Sequence, residues 1–188
     1  MRSSLLAAGL LIAVTLLPGT PGIAQSADED ILNRVISLPV PSAYRVDGLR
    51  DKAPVRSDPA VQGGKALRVD VPGKGAHEWD VAVAVPINKP VKAGDPLILA
   101  FWARLQRGEN GATSAVLPYN AVQLAHDPYT ALFSGPATIG PDWKMYKVEG
   151  SADRDHPAGD LNVSMHLATG KQIVDIGPVF VLDMAGAH

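Results

Sequence analysis

The chain has 188 residues, of which 46% are hydrophobic, and its formal net charge is −2 with no cysteine. This slightly negative charge excludes the strongly basic surface that binds nucleic acid or an anionic membrane. The lack of cysteine excludes disulfides, thiolate nucleophiles and thiolate metal ligands.

The first 24 residues have the layout of a secretory signal peptide. Arg2 supplies a positive charge, residues 5–17 are almost entirely apolar, and the small residues Gly22 and Ala24 precede a cleavage site. The apolar run is shorter than the roughly 20 residues of a membrane-spanning helix, and no second run of that length follows. We therefore expect cleavage near Ala24, export to the periplasm or beyond, and a single domain over residues 25–188 with no membrane span.

The remaining chain is cut into short segments by its Gly and Pro residues, which leave little room for helices. Alternating hydrophobicity predicts strands between these turns. The predicted strands cover residues 44–49, 66–71, 78–87, 97–105, 115–125 (one or two strands, broken at Pro118), 143–150, 161–168 and 172–183. A short helix is an alternative for residues 129–134. Seven to nine strands without crossover helices predict an all-β fold, a two-layer antiparallel β-sandwich of the jelly-roll type.

Each predicted strand has two faces because its side chains alternate. One face is apolar and is predicted to form the core, with Val81, Val83, Val85, Leu97, Leu99, Phe101, Val122, Leu124, Leu161, Val163, Met165 and Leu167. The opposite face carries Asp80, Ala82, Ala84, Ala100, Trp102, Arg104, Gln123, Ala125, Asn162, Ser164 and His166. An aromatic ring can stack on the C–H face of a sugar, and Asn, Gln and His offer hydrogen-bonding edges to hydroxyl groups. Packing of this face under a loop or against another chain is the alternative.

Several segments together resemble a known family. They are Gly-Gly-Lys-Ala-Leu-Arg-Val at 63–69, Glu-Trp-Asp at 78–80, Ala-Phe-Trp-Ala-Arg at 100–104, Trp-Lys-Met-Tyr at 143–146, and the two closing strands. In this order they resemble the jelly-roll carbohydrate-binding modules of families 4, 9 and 22, which accompany xylanases and cellulases and belong to the galactose-binding-like sandwiches. The resemblance implies non-catalytic binding of a glycan on a concave sheet face or at its loop rim.

Transferred to this chain, the resemblance implies a set of ligand-binding residues. Trp102 and Trp79 are expected to stack on sugar rings, and hydroxyl groups are expected to bind to Gln123, His166, Asn162 and Arg104. We expect Trp102→Ala to remove most of the binding and to leave the melting temperature nearly unchanged. Trp143 occupies the position of a structural Trp in the family and is expected in the core.

No cofactor is expected. Some members of the family hold a structural calcium, but the acidic pair that often precedes the last strand is replaced here by Gly177-Pro178, which leaves only Asp175 and Asp183 in that region. This departure argues against calcium. The histidines match no metal-binding spacing, and His77 and His156 lie in loops where we expect them to be solvated.

Two other functions remain open. A glycoside hydrolase of the xylanase type needs two carboxylates about 5 to 9.5 Å apart, for which Glu78 and Asp80 are the best pair. Ser164 and His166 share a face, but the sequence has no G-x-S-x-G elbow. Alternatively, an exported accessory protein could bind a protein partner through the same face or through a sheet edge. The loop at residues 127–136 offers apolar surface that would suit a protein partner as well as a glycan.

Overall fold

The computed structural model describes residues 31–185. The predicted signal peptide and its cleavage site lie outside the described residues. After a short helical segment at residues 31–34, the chain forms ten strands: β1 Arg45–Asp47, β2 Val55–Ser57, β3 Lys65–Val71, β4 Ala82–Pro86, β5 Pro96–Arg107, β6 Ala115–Leu124, β7 Ala131–Ile139, β8 Lys144–Ser151, β9 Leu161–His166 and β10 Gln172–Asp183. Within the described part of the chain, no helix has the length and apolarity needed to cross a membrane.

The strands form two antiparallel sheets of five strands each. The front sheet has the order β1-β4-β9-β6-β7, and the back sheet has the order β2-β3-β10-β5-β8. Strands that are distant in the chain pair directly, as β4 does with β9 and β3 with β10. The predicted all-β jelly-roll sandwich is confirmed.

The core lies between the two sheets. All residues that alternation predicts as core are buried, and they come from both layers: Val81, Val83, Val85, Val122, Leu124, Leu161, Val163, Met165 and Leu167 in or beside the front sheet, and Leu97, Leu99 and Phe101 in the back sheet. Burial of these apolar side chains supplies the main driving force for joining the layers, at roughly 1.5–3 kcal/mol for each large side chain. The remaining faces of both sheets point outward.

Three segments differ from the sequence prediction. Residues 129–134, for which a short helix was an alternative, lead into β7, an edge strand where Pro136 is tolerated because one side of the ladder is free. β2 is only three residues long, too short to show alternation. The predicted strand at 78–87 begins only at Ala82, because Glu78–Asp80 forms a 3-10 turn.

The closing strand β10 contains a bulge at Gly177-Pro178, where its pairing with β5 shifts register. The N-terminal segment satisfies the backbone groups that this bulge leaves unpaired. The Tyr44 hydroxyl accepts from the N–H of Val179 at 2.8 Å and donates to the carbonyl of Gly177 at 3.3 Å. Burial raises the pKa of Tyr44, so this hydroxyl stays protonated. The Gly-Pro pair at this position therefore has a structural explanation.

Candidate functional site

A groove of about 590 Å³ lies on the outer face of the front sheet. Its lining comes from four strands, one turn and one loop: Arg45, Asp47, Glu78, Trp79, Ala82, Ala84, Tyr119, Gln123, Pro128, Tyr129, Asn162, Ser164 and His166. A concave site of this volume is in the range of small-molecule and oligomer sites. We refer to it as the front groove.

The floor of the front groove is made of small side chains. Ala84 on β4 pairs directly with Ser164 on β9, and Ala82 lies two residues earlier on β4 and therefore on the same face. These side chains point away from the core because their neighbours Val83 and Val163 point into it. A ligand on this floor can approach the sheet closely.

One wall of the front groove is an array of aromatic rings. Trp79 meets His166 edge to face at a centroid distance of 5.9 Å, and His166 stacks on Tyr119 at 4.2 Å. Trp79 is 57% exposed and stacks on His77 at 4.5 Å. Burial lowers the pKa of His166, an effect that the nearby Glu78 opposes. His166 is therefore neutral at pH 7, with one nitrogen that donates and one that accepts.

The other wall presents amide groups. Asn162 on β9 pairs directly with Gln123 on β6, so both side chains lie on the groove face. The Tyr119 hydroxyl donates to Gln123 Oε1 at 2.9 Å, and this bond links two side chains of β6 beside the floor. Asn162 Oδ1 is buried and, among the described residues, has no hydrogen-bond partner. A buried carbonyl oxygen without a partner is costly.

The mouth of the groove is bordered by Tyr129 and Pro128 on one side and by β1 on the other. Tyr129 is 53% exposed and has a left-handed backbone with φ of 56°, which is unusual for a bulky residue. On β1, the Arg45 guanidinium donates to Asp47 Oδ2 at 3.1 Å. This rim therefore combines an exposed aromatic ring with an ion pair.

The turn Glu78–Asp80 positions Trp79. The Asp80 carboxylate accepts from the backbone N–H of His77 at 3.0 Å, and this bond lowers the pKa of Asp80. Gly48, which follows β1 with φ of 84°, lies against the Asp80 carbonyl so closely that a Cβ at Gly48 would overlap it. The position of Trp79 therefore depends on a glycine in another segment.

Replacement of Gly48 by Ala is expected to lower the free energy of unfolding by about 1–2 kcal/mol, because the left-handed backbone and the overlap both disfavour a Cβ. The NMR signal of the Trp79 indole N–H should shift as the turn moves. Gly94→Ala is the matched control, since Gly94 has φ of 83° and no heavy atom within 4 Å of the added Cβ. Equal effects of the two substitutions in denaturant titrations, with the Trp79 signal unmoved, would contradict the contact with the turn.

The structure brings together four of the six predicted ligand-binding residues. Trp79, Gln123, Asn162 and His166 all line the front groove. The expectation that Trp102 and Arg104 share this face is wrong. Both lie on β5 of the back sheet and point away from the core on the opposite side of the sandwich. Alternation correctly predicts that both side chains face outward, but they face outward from the back sheet and not from the front sheet that carries the groove.

Trp102 and Arg104 belong to a network on the back sheet. Asp175 on β10 lies between Arg68 on β3 and Arg104 on β5, directly paired with both. Its carboxylate accepts two bonds from Arg68, at 2.7 and 2.8 Å, and two from Arg104, at 2.9 and 3.0 Å. The Trp102 indole N–H donates to Gln62 Oε1 at 3.0 Å. These contacts attach the loop before β3 to the sheet.

The expectation that Trp143 lies in the core is also wrong. Trp143 is half-buried on the back sheet, where the Arg104 guanidinium carbon lies 4.8 Å from its ring centroid. Its indole N–H donates to Asp58 Oδ2 at 3.2 Å, and Asp58 pairs with Arg104 at 2.7 Å. The ring therefore covers an ion pair on the outer surface.

Sequence reasoning missed two aromatic residues of the groove. Tyr119 follows Pro118, and β6 shifts register between Leu117 and Asn120, so simple alternation does not carry across this point. Tyr129 lies within the loop at residues 127–136, for which the sequence predicts only an exposed apolar surface. A tyrosine beside a strand-interrupting proline was the available signal for a bulge that redirects a side chain.

The residues weighed for other chemistry have defined surroundings. Glu78 lines the groove, whereas Asp80 lies in the turn rather than on the predicted strand, where it caps the turn's backbone. Asp175, one of the two acidic residues considered for calcium, is bound by two arginines. Between residues 31 and 185, no group of three or more His, Asp or Glu side chains is placed to hold a metal ion.

Comparison with known proteins shows the fold. No protein-family profile and no curated protein matches the sequence. A carbohydrate-binding module of family 4 superposes with a TM-score of 0.54 at 17% identity, over 77% of this chain and 89% of that one. The N-terminal cellulose-binding domain of Cellulomonas fimi β-1,4-glucanase C gives 0.55 at 14% identity, over 78% and 92%. The C-terminal family 22 module of the Clostridium thermocellum xylanase 10B gives 0.54 at 14% identity, over 78% and 89%. The predicted structural resemblance to families 4 and 22 is confirmed.

Proposed function

We propose that this protein binds carbohydrate in the front groove and does not act on it chemically. The observation that carries this proposal is the pairing of an aromatic wall with an amide wall across a floor of small side chains. Trp79 and Tyr119 offer flat apolar surfaces to sugar rings, while Asn162 and Gln123 offer hydrogen-bonding edges to hydroxyl groups. Glycans combine these two kinds of surface along their length.

The comparisons support the ligand class. The similar solved structures include a cellulose-binding domain and a family 22 module of a xylanase. A xylanase fragment with another family 22 module, solved with xylohexaose, superposes with a TM-score of 0.54 at 9% identity. We therefore infer a chain of neutral sugars as the ligand and use xylohexaose and cellohexaose as probes.

A protein partner is the second candidate, because Trp79 and Tyr129 are exposed enough to contact one. The shape of the surface favours sugar. A protein-binding patch is usually flat and wide, whereas this surface is a groove. Among the described residues, Asn162 Oδ1 is the only buried oxygen of the groove lining without a hydrogen-bond partner.

Export is part of the proposal. With residues 1–24 removed, the protein would meet polysaccharide outside the cytoplasm. N-terminal sequencing of the protein recovered from the periplasm or the medium should begin at Gln25. Recovery of an intact Met1 terminus from the cytoplasm would contradict export and would leave groove binding to be judged separately.

Asn162→Ala is expected to weaken binding of xylohexaose or cellohexaose by about 1 kcal/mol, or about fivefold in Kd, through loss of one hydrogen bond. Titration calorimetry on the purified chain measures this change. Asn33→Ala, an exposed residue that does not line the groove, is the control and should bind like the wild type. Failure of the wild type to bind either oligosaccharide, insoluble xylan or cellulose would overturn the proposed ligand class.

A further inference from the structure

Two histidines and two aspartates form a continuous hydrogen-bonded chain beside the front groove. It joins the β6–β7 loop, residues 125–130, to the β8–β9 connection, residues 152–160. The β6–β7 loop carries Pro128 and Tyr129 of the groove mouth. The chain therefore links one border of the groove to a separate loop of the sandwich.

His156 is the inner member of the chain. It is 1% exposed, which corrects the expectation that it is solvated. Its Nδ1 lies 2.7 Å from Asp160 Oδ2, and its Nε2 lies 2.8 Å from Asp153 Oδ1. Carboxylate oxygens accept, so both contacts are hydrogen bonds together only when both ring nitrogens carry a proton. These bonds hold the pKa values of Asp153 and Asp160 below the ordinary range.

His126 is the outer member of the chain, and it also faces two acceptors. Its Nε2 lies 2.8 Å from Asp160 Oδ1, and its Nδ1 lies 3.0 Å from the backbone carbonyl of Asp127. A carbonyl oxygen can only accept, so both bonds exist together only when the ring carries two protons. A neutral His126 has one ring N–H and can keep only one of these two hydrogen bonds. Its side chain is 58% exposed, so it exchanges protons with solvent directly.

Two backbone hydrogen bonds also hold the β6–β7 loop. The backbone N–H of Tyr129 donates to the His126 carbonyl at 2.7 Å, and the backbone N–H of Ala125 donates to the Asp160 carbonyl at 2.9 Å. Since buried His156 fixes Asp160 from the other side, the imidazole of His126 connects the Tyr129 segment to a rigid anchor.

We propose that protonation of His126 holds the Pro128–Tyr129 border of the front groove in place, so that ligand binding is stronger in acidic than in alkaline solution. This inference rests on the proposed carbohydrate binding for its effect on affinity. The state of the loop can be measured without any ligand.

The pH range follows from the charged groups around the ring. The hydrogen bond that the His126 ring donates to Asp160 raises the pKa of His126 above its ordinary 6.5, the Asp127 carbonyl acts in the same direction, and Arg154 opposes them. A raised pKa means that the contact is fully present below pH 6.5 and is lost as pH rises through the raised value. Asp153 and Asp160, with lowered pKa values, lose their contribution only as pH falls below their ordinary 3.8.

The test without ligand is an NMR titration of the purified chain from pH 5 to 9. The ring protons of His126 and the amide of Tyr129 should shift with the same midpoint, above 6.5. The pH-dependent shift of the Tyr129 amide should disappear in His126→Gln, because the Gln side chain does not titrate and its NH₂ group can reach only one of the two acceptors. It should persist in Asp155→Asn, which removes a neighbouring ion pair with Lys92 and leaves the chain intact. A Tyr129 signal that stays constant while His126 titrates would overturn the proposal.

The test with ligand is calorimetric titration of xylohexaose and cellohexaose at pH 6 and at pH 9. Wild type and Asp155→Asn should bind several-fold more weakly at pH 9, and His126→Gln should show equal affinity at both values. Equal affinity of the wild type at both values overturns the effect on binding. If neither sugar binds at either pH, the proposed function fails, and the NMR titration still decides whether His126 controls the loop.

Discussion

Trp79→Ala is expected to remove most of the affinity for the oligosaccharide, about 2 kcal/mol or about 30-fold in Kd. Trp79 is the most exposed large ring beside the groove, with 57% of its surface accessible in the folded chain, so its apolar surface is available to a ligand. Removing it also takes away the edge contact to His166. Calorimetric titration with xylohexaose and cellohexaose measures the loss.

Trp102→Ala is the matched control, since it removes the same side chain from the opposite side of the sandwich. We expect its affinity to equal that of the wild type, in contrast to the expectation from sequence, and its melting temperature to fall because the hydrogen bond to Gln62 is lost. The reverse pattern, binding lost in Trp102→Ala and kept in Trp79→Ala, would show that the ligand binds the back sheet.

Asp175→Ala is expected to lower the free energy of unfolding by about 3 kcal/mol. Asp175 is 3% exposed and accepts bonds from two arginines that are themselves largely covered. Without the carboxylate, Arg68 and Arg104 keep their charge in a partly buried position, and Arg104 retains Asp58 and the Trp143 ring as its partners. For a chain of this size the melting temperature should fall by about 6–12 °C.

Asp183→Ala serves as the control on the same strand, because the one hydrogen bond that its carboxylate accepts within residues 31–185 is local, from the N–H of Ala185. In thermal and denaturant unfolding, the free energies of unfolding of the two variants should differ by most of the roughly 3 kcal/mol. Oligosaccharide affinity below the transition should be unchanged in Asp175→Ala, since the network lies on the back sheet. Coincident unfolding curves for the two variants would mean that water replaces the carboxylate around the arginines.

The core was predictable because alternation is a local property. Val83 and Ala84 must face opposite ways whatever their strand pairs with, so inward and outward sets follow directly from sequence. Membership of a sheet is not local. Phe101 and Val83 both point inward but from different layers, and their neighbours Trp102 and Ala82 therefore emerge on opposite surfaces.

The groove was predictable only where its residues lie on regular strands. Asn162, Gln123 and His166 follow the alternation of β9 and β6, and the sequence identifies them correctly as lying on one face. Tyr119 follows a register shift, and Tyr129 lies in a loop whose course depends on contacts with a distant segment. The position of Tyr129 requires the three-dimensional arrangement of His126 and Asp160, which are 34 residues apart in the chain.

The small side chains of the groove floor have an evolutionary consequence. Ala84 and Ser164 are interleaved with core residues along the same strands, yet each projects to the opposite side of the sheet. Enlarging either one would make the groove shallower at one point and would leave the packing between the layers untouched. Selection can therefore alter which ligand shapes are accepted, one strand at a time, while the scaffold keeps its stability. This separation explains in physical terms how sandwiches with very different sequences can share one backbone and diversify in what they recognise.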